Sequence, residues 1–398
     1  QRVRTLAVVL ALLCATASAE CRQDRRDRRV NRLRDDCGAA GPSDAGATGA
    51  VWGAPFALAS QCTGAALPST IGAATVTRAS SAYCPKSDGT FALMTADQPR
   101  LGRFGVLVEG PATALETAPR DGTNAAWVKV GMTAAKNQTG ADGTANGATR
   151  LTATLPLATA LQTYNDSATD RKSFSISIQR PAACGTGTVL VSQDVTGGFT
   201  CDVTTALAVG MDAGCQWVRV SQNGDTSHDT AQICETGCGA LSSAVEDPVF
   251  GVTLATSGDC LNFDFAQLEE TISKFSSTPV SGGSRANEDF EIASATWPTT
   301  AGSIEMSMAP MWIPPNTNGD YRMIFDTRDS SSGDGAFIYD LDSSVTYGVR
   351  NTGGVTQTTA ADLIDLVLAP FGKPRFWQME WDAAAVRFRV QGVGRGTN

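Results

Sequence analysis

The chain has 398 residues, with 31 Lys and Arg against 40 Asp and Glu, a formal net charge of -9 and a sequence pI of about 4.8. This acidic balance disfavours nucleic acids and anionic membranes as partners, because both attract basic patches. The length accommodates two to three domains of about 100 to 200 residues each.

The N-terminus has the pattern of an export signal. Arg2 and Arg4 precede an apolar run over residues 6–17, and small residues follow it. We predict a signal peptide over residues 1–19, cleaved before Glu20. The apolar run is shorter than the roughly 20 residues that span a bilayer. We therefore expect a secreted or cell-surface protein with no membrane insertion.

Residues 20–50 combine a charged run, "CRQDRRDRRVNRLRDDC", with a linker rich in Gly and Ala. Only Val30 and Leu33 are apolar within the run, so it has little to bury. The aspartates that alternate with the arginines argue against nucleic-acid binding. We predict a short helical or disordered leader followed by a flexible linker.

From residue 51 onward, short segments rich in Val, Thr, Ser and Phe are separated by Gly, Asp and Asn. In "SFSISIQ", alternation places Phe174, Ile176 and Ile178 on one strand face. In "WVRVS", Val218 and Val220 share a face in the same way. Many short strands with this spacing are typical of an all-β sandwich or barrel.

The order of several motifs is more specific than any one of them. "VTRASSAYCPKSDGTFALMTADQPRL", "GVLVEGPATAL", "NAAWVKVG", "SFSISIQR" and "TSGDCLNFDFAQLEE" follow one another between residues 71 and 280. This order resembles a module of bacteriophage tail appendages and bacterial surface proteins. The resemblance implies a lead-in segment over residues 51–115 and a jelly-roll sandwich, like those of carbohydrate-binding modules, over residues 116–280. The export signal and the cysteines from Cys184 to Cys260 depart from the phage pattern and favour an exported cellular relative.

Residues 286–398 form a second block of strands. "FWQMEWDAAAVRFRVQG" is similar to the strand-turn-strand signature of concanavalin A-like (laminin G-like) sandwiches, with Trp377, Met379 and Trp381 alternating before a turn at Asp382. We thus expect an all-β chain of two antiparallel β-sandwiches, a jelly roll and then a concanavalin A-like domain. Because "GVGRGTN" closes no element, we expect the second domain to be cut short.

Ten cysteines lie between residues 21 and 260. An even number in an oxidising compartment predicts disulfides. We predict a Cys62–Cys84 bridge flanking the lead-in segment and a Cys234–Cys238 bridge across a three-residue loop, with the other four sandwich cysteines paired among themselves. His228 with Cys234 and Cys238 would supply three zinc ligands, but the spacing matches no standard zinc finger and a disulfide is favoured.

Catalytic constellations are not evident in the sequence. His228 is the single histidine and lies in a polar loop, without the partners that a serine or cysteine triad needs. A glycoside hydrolase needs two carboxylates about 5 to 10 Å apart, whereas Glu288 and Glu291 face opposite sides of a strand. We therefore predict a protein that is not an enzyme. The alternatives are a structural or adhesion protein with sandwich spacers and an accessory region of a polysaccharide-degrading enzyme.

The expected partner is a polysaccharide or a cell-surface glycan. Aromatic side chains near loops or strand ends are candidates for stacking on sugar rings, and acidic side chains near them are candidate ligands for a structural calcium, which takes oxygen ligands. The candidate sugar-stacking residues are Tyr164, Trp297, Tyr321 and Tyr347, and the candidate calcium ligands are Asp264, Asp326 and Asp329. Sandwiches of both kinds often carry such a calcium.

Overall fold

The computed structural model describes Cys62 and most of the chain from residue 74 onward. The described ranges are 74–102, 105–165, 171–193, 199–212, 215–222, 235–238, 243–244, 247–270, 278–280, 283–292, 301–308, 321–326, 335–341, 345–352, 355–362, 375–382, 385–390 and 393–397. The predicted signal peptide, leader and linker lie outside the described residues.

The described structure is all-β, as predicted, with twenty strands before residue 293. They are β1 (Ala74–Thr77), β2 (Ala82–Pro85), β3 (Phe91–Met94), β4 (Arg100–Gly102), β5 (Gly105–Leu107), β6 (Ala112–Thr113), β7 (Val128–Val130), β8 (Met132–Gln138), β9 (Ala148–Ala153), β10 (Ala158–Thr163), β11 (Arg171–Gln179), β12 (Val189–Gln193), β13 (Phe199–Asp202), β14 (Val218–Gln222), β15 (Glu235–Cys238), β16 (Ser243–Ala244), β17 (Val249–Leu254), β18 (Cys260–Glu270), β19 (Ser284–Arg285) and β20 (Asp289–Ile292).

Two of the sheets enclose the main core. The five-stranded sheet has the order β13-β12-β17-β10-β7, and the seven-stranded sheet has the order β15-β14-β11-β18-β9-β8, with β16 paired to β11. The large residues of the core come from both sheets and include Phe174, Ile176, Phe250 and Phe263, which join Trp127. The predicted inward face of β11 is thus confirmed, and the arrangement is that of a β-sandwich.

Strand β18 is buried on both faces from Cys260 to Glu269. Its inward side chains, such as Phe263 and Leu268, contribute to the main core. Part of its outward face is covered by the lead-in segment, because Tyr83 and Phe91 form a second cluster with Phe265. The lead-in segment therefore adds a third layer on the seven-stranded sheet.

The stretches before and after the sandwich pair with each other. In the lead-in segment, β2 pairs with β3 and β4 pairs with β5, while β1 pairs with β20 and β6 pairs with β19. "GVLVEGPATAL" supplies β5 and β6. The stretch around residues 284–292, which the sequence placed at the start of the second domain, thus also closes the first sandwich.

Disulfides join distant parts of this region. Cys62 is bonded to Cys84 with their Cα atoms 5.6 Å apart, and Cys184 is bonded to Cys260 with their Cα atoms 4.8 Å apart. Cys201 and Cys215 are disulfide-bonded as well. Of the second predicted pair, Cys238 ends β15, whereas Cys234 lies outside the described residues.

A helix, which the sequence pattern did not predict, lies among the described strands. The helix α1 (Thr204–Asp212) follows β13 directly. The Asp202 carboxylate accepts hydrogen bonds from the Thr204 amide at 2.9 Å and the Thr204 hydroxyl at 2.5 Å, which satisfies donors at the helix start. Val203 and Leu207 are buried in the main core. Within the described ranges, no helix is long and apolar enough to cross a membrane.

The described residues between 301 and 397 form two antiparallel four-stranded sheets. Their strands are β21 (Gly302–Met308), β22 (Tyr321–Asp326), β23 (Gly335–Leu341), β24 (Val345–Thr352), β25 (Val355–Asp362), β26 (Arg375–Trp381), β27 (Val386–Val390) and β28 (Val393–Thr397). One sheet has the order β21-β26-β27-β28 and the other the order β22-β23-β24-β25. The predicted hairpin at Asp382 is confirmed, since β26 pairs with β27 and both Met379 and Trp381 are buried. The assignment to the concanavalin A-like fold stays a prediction.

Candidate functional site

A row of four polar side chains crosses the outer face of the seven-stranded sheet. Arg150 donates from Nε to Asn262 Oδ1 at 3.0 Å and from Nη2 to Gln138 Oε1 at 2.8 Å. Asn262 in turn donates from Nδ2 to Gln179 Oε1 at 2.8 Å. We call these four residues the amide ladder. They come from four adjacent strands, β8, β9, β18 and β11.

Alternation along the strands places the amide ladder on the outer face. The neighbours Leu151, Ile178 and Phe263 point into the main core, so the residues between or beside them point outward. The register aligns the ladder, because Asn262 lies opposite both Arg150 and Gln179.

A β-bulge brings the fourth member into the row. Between the Ala135–Arg150 and Gln138–Ala148 pairs, β8 contains one residue more than β9. The extra residue bends the strand locally. Gln138 consequently reaches Arg150, although the regular register would place another residue opposite it.

The members of the amide ladder differ in their exposure to solvent. Asn262 is 3% exposed and is held between its neighbours, whereas Gln138, Arg150 and Gln179 are partly exposed. Thr152 lies opposite Cys260 on the same face. The ladder is therefore a fixed row of amide and guanidinium groups, whose planar donors and acceptors can bind a polar ligand laid across the strands.

A second polar cluster is buried where the lead-in segment meets the stretch after the sandwich. Glu288 forms ion pairs with Arg78 and Arg100, and all three side chains are fully buried. Arg100 also donates from Nε to Glu288 Oε1 at 2.9 Å, and the Glu109 amide donates to Glu288 Oε2 at 3.0 Å. We call these residues, together with Glu109 and the arginines that pair with it, the arginine clamp.

Glu109 completes the arginine clamp. Its carboxylate contacts Arg100 Nη1 at 2.6 Å and Arg285 Nη1 at 3.1 Å, and it accepts hydrogen bonds from the Thr278 amide and hydroxyl at 2.9 and 2.5 Å. Burial alone would raise the pKa of Glu109, but Arg100 and Arg285 hold it at about 2. Both glutamate carboxylates are thus engaged by arginines within the fold, which indicates a structural role for them.

A third cluster surrounds Arg120. Its guanidinium pairs with Asp142 at 2.7 Å and with Asp264 at 2.7 Å, and it lies 4.2 Å from the centre of the Phe265 ring. Phe265 is a bulge residue with φ of 45°, opposite Ile176, so Asp264 and Phe265 can both serve the outer face of β18. The bulge thereby supplies the ion pair and the cation–π contact together.

Asp264 was a candidate calcium ligand, and the structure engages its carboxylate with nitrogen donors. It accepts hydrogen bonds from Arg120 and from the Ala141 and Phe265 amides, between 2.7 and 2.9 Å. Burial raises the pKa of Asp264 to about 6. It is therefore ionised at neutral pH, as the facing donors require. Within the described ranges, no group of three or more His, Cys, Asp and Glu residues could hold a metal ion.

The other candidates are scattered. Tyr164 is partly buried against the main core. Tyr321 begins β22 and Asp326 ends it, and Tyr347 lies in β24. The side chains of these three residues, and all of Trp297 and Asp329, lie outside what the structure describes. Their roles in sugar stacking and calcium binding stay predictions.

The sequence reading missed the amide ladder. Its one signal was in β11, where Gln179 follows Ile178 and so lies on the face opposite the recognised inward one. Polar residues in that phase are common on exposed sheet faces. Only the register between distant strands brings them into one row.

No family model matches the sequence, and no curated protein matches it. A solved structure described as a structural analysis of an exo-beta-agarase is similar over 41% of this chain, with 9% sequence identity and a TM-score of 0.28. The matched part spans 25% of the agarase chain. A likeness this weak decides neither the detailed fold nor the activity.

Proposed function

We propose that this protein is a secreted or cell-surface, non-catalytic glycan-binding protein and that the amide ladder contacts the glycan. The observation that carries the proposal is the row of Gln138, Arg150, Asn262 and Gln179, held by mutual hydrogen bonds across four strands. Sugar hydroxyls both donate and accept hydrogen bonds. Planar amide and guanidinium groups can therefore bind adjacent hydroxyls of a sugar ring.

Rigidity supports this function. Each ladder side chain is fixed by its neighbour, so less conformational entropy is lost when a glycan binds. The Cys184–Cys260 disulfide is attached to β18 two residues before Asn262 and stiffens the same strand. Disulfides of this kind are typical of exported proteins.

A structural or adhesion role is the second candidate, and the arginine clamp favours it. The clamp and the β1–β20 pair join stretches of chain that are more than 200 residues apart. Such closure suits a stiff spacer as well as a binding module. The amide ladder would serve equally in an accessory region of a polysaccharide-degrading enzyme.

A glycan array tests the proposal. We expect the full-length chain to bind at least one class of polysaccharide, and a Gln138→Ala/Gln179→Ala variant to lose at least tenfold in affinity. Gln216→Ala is the matched control, because Gln216 is exposed and lies outside the ladder. Repeating the array with a calcium chelator tests the calcium prediction separately.

Two outcomes would contradict the proposal. A folded chain that binds no glycan would rule out the glycan-binding function. Equal binding by the double variant and the control would move the contact away from the amide ladder. Circular dichroism and thermal unfolding of each variant verify that the fold is retained.

A further inference from the structure

Arg150 differs from the other arginines that have been described above. Arg78, Arg100, Arg120 and Arg285 each form an ion pair with a carboxylate. Within the described part of the chain, Arg150 donates hydrogen bonds only to the amide oxygens of Asn262 and Gln138. Its guanidinium is thus held in place without an ion pair to a carboxylate of the described residues.

The two hydrogen bonds use two of the three guanidinium nitrogens. Nε donates to Asn262 and Nη2 donates to Gln138. The third nitrogen, Nη1, has no hydrogen-bond acceptor among the described residues. Its N–H groups can donate to an oxygen of a carboxylate or sulfate.

The residues beside Arg150 in the amide ladder carry no opposing charge. Gln138 and Gln179 are neutral, and Thr152 and the disulfide-bonded Cys260 lie beside them on the face. The next acidic group along β18 is Asp264, whose carboxylate is already paired with Arg120. In a chain of net charge -9, the ladder is a place where an anionic group meets a positive charge.

We infer that the amide ladder selects acidic glycans and that Nη1 of Arg150 donates to the carboxylate of a uronate or the sulfate of a sulfated sugar. This inference rests on the proposed glycan-binding function and names the class of ligand for the same site. The amides of Gln138 and Gln179 then bind hydroxyl groups of the sugars on either side.

Paired polysaccharides that differ only in charge test the inference. The full-length chain is titrated calorimetrically with polygalacturonate and with its methyl ester, and with dextran sulfate and dextran. We expect at least tenfold tighter binding to the charged member of one pair. The pair that shows the preference identifies whether a carboxylate or a sulfate is bound.

Three variants assign the preference to Arg150. Arg150→Gln should abolish the preference for charged glycans. Arg150→Lys should retain part of it, because lysine keeps the charge but lacks the planar guanidinium group. Lys136→Gln is the control: it removes one positive charge from the neighbouring part of β8, where Lys136 pairs with Asp121 at 3.7 Å, and should change affinity less than twofold. Raising the salt concentration should weaken binding by the unmodified chain more than binding by Arg150→Gln.

The outcomes separate this inference from the function on which it rests. Equal affinity for charged and uncharged members of both pairs, with neutral glycans still bound through Gln138 and Gln179, would overturn only the selection of acidic glycans. A preference that persists in a folded Arg150→Gln variant would overturn the role of Arg150. Failure to bind any glycan would overturn both proposals.

Discussion

Glu109 is the acidic residue of "GVLVEGPATAL", and its chemistry follows from its partners in the arginine clamp. Its pKa in the folded state is about 2, below its ordinary value of 4.5. A carboxylate with a lowered pKa stabilises the fold above pH 4.5, and this contribution is lost as the pH falls towards 2. The shift corresponds to stability on the order of 3 kcal/mol.

We therefore expect Glu109→Gln to lower the free energy of unfolding at pH 6, measured by urea denaturation, and to reduce the further loss between pH 4.5 and 2.5. Glu291→Gln is the control, since Glu291 is exposed. An unchanged pH profile in Glu109→Gln would show that another group causes the acid sensitivity.

Glu116 should make the free energy of unfolding depend on pH with the opposite sign. Burial raises its pKa to about 7, although its Oε2 accepts a hydrogen bond from the Leu268 amide at 2.7 Å. Stability linked to this group is complete below pH 4.5 and is lost as the pH rises through 7. Glu116→Gln keeps an acceptor for Leu268 and should raise the free energy of unfolding at pH 8 by about 2 to 3 kcal/mol, with no gain at pH 4. A loss of stability at pH 8 would contradict this.

At the scale of single elements, Gly251 of β17 lies opposite Leu161 of the neighbouring antiparallel strand β10. Its φ is 151°, and a Cβ atom there would lie 2.1 Å from the Ala160 carbonyl oxygen. Gly251→Ala should therefore cost about 2 to 4 kcal/mol and lower the melting temperature. Gly110→Ala is the control, because no atom lies within 4 Å of its added Cβ. Equal melting temperatures for the two variants would refute the close approach.

The inward faces of single strands could be predicted from the sequence, whereas the β-bulges could not. Alternation predicted the inward faces of β11 and β14, because burial follows a period of two along one strand. It did not predict the bulge at Phe265, since a phenylalanine gives no local signal for a positive φ. The amide ladder depends on that kind of information as well: Gln138 enters it through a bulge, and Asn262 through pairing with strands more than 80 residues away.

At the scale of the whole molecule, composition and turn spacing were enough to predict an all-β chain. They did not predict that residues 284–292 return to the lead-in segment. Arg78 and Glu288 are 210 positions apart, and nothing local in the sequence links them. Burial of two opposite charges together gives that pairing its specificity, and such a match is visible only once the fold is known.

The distribution of disulfides predicts unequal responses to reduction. The bridges Cys62–Cys84 and Cys184–Cys260 lie before residue 271, and no cysteine follows Cys260. Loss of a native disulfide costs about 2 to 5 kcal/mol. Hydrogen exchange measured by mass spectrometry with and without reductant should show faster exchange in residues 74–270 and no change in residues 301–397. Equal acceleration in both regions would contradict this expectation.

The β1–β20 pair determines how the first sandwich would respond to mechanical force. Ala74 lies opposite Ile292 and Thr77 opposite Asp289, so the chain enters and leaves at the same end of a short antiparallel ladder. Tension applied through the flanking chain would peel the strands apart from Ala74 and Ile292, one residue pair after another. Directly behind the last pair stands the buried ion pair of Arg78 and Glu288. Peeling would stop there until water reached the two charges. The arginine clamp would therefore resist separation of β1 from β20 under load.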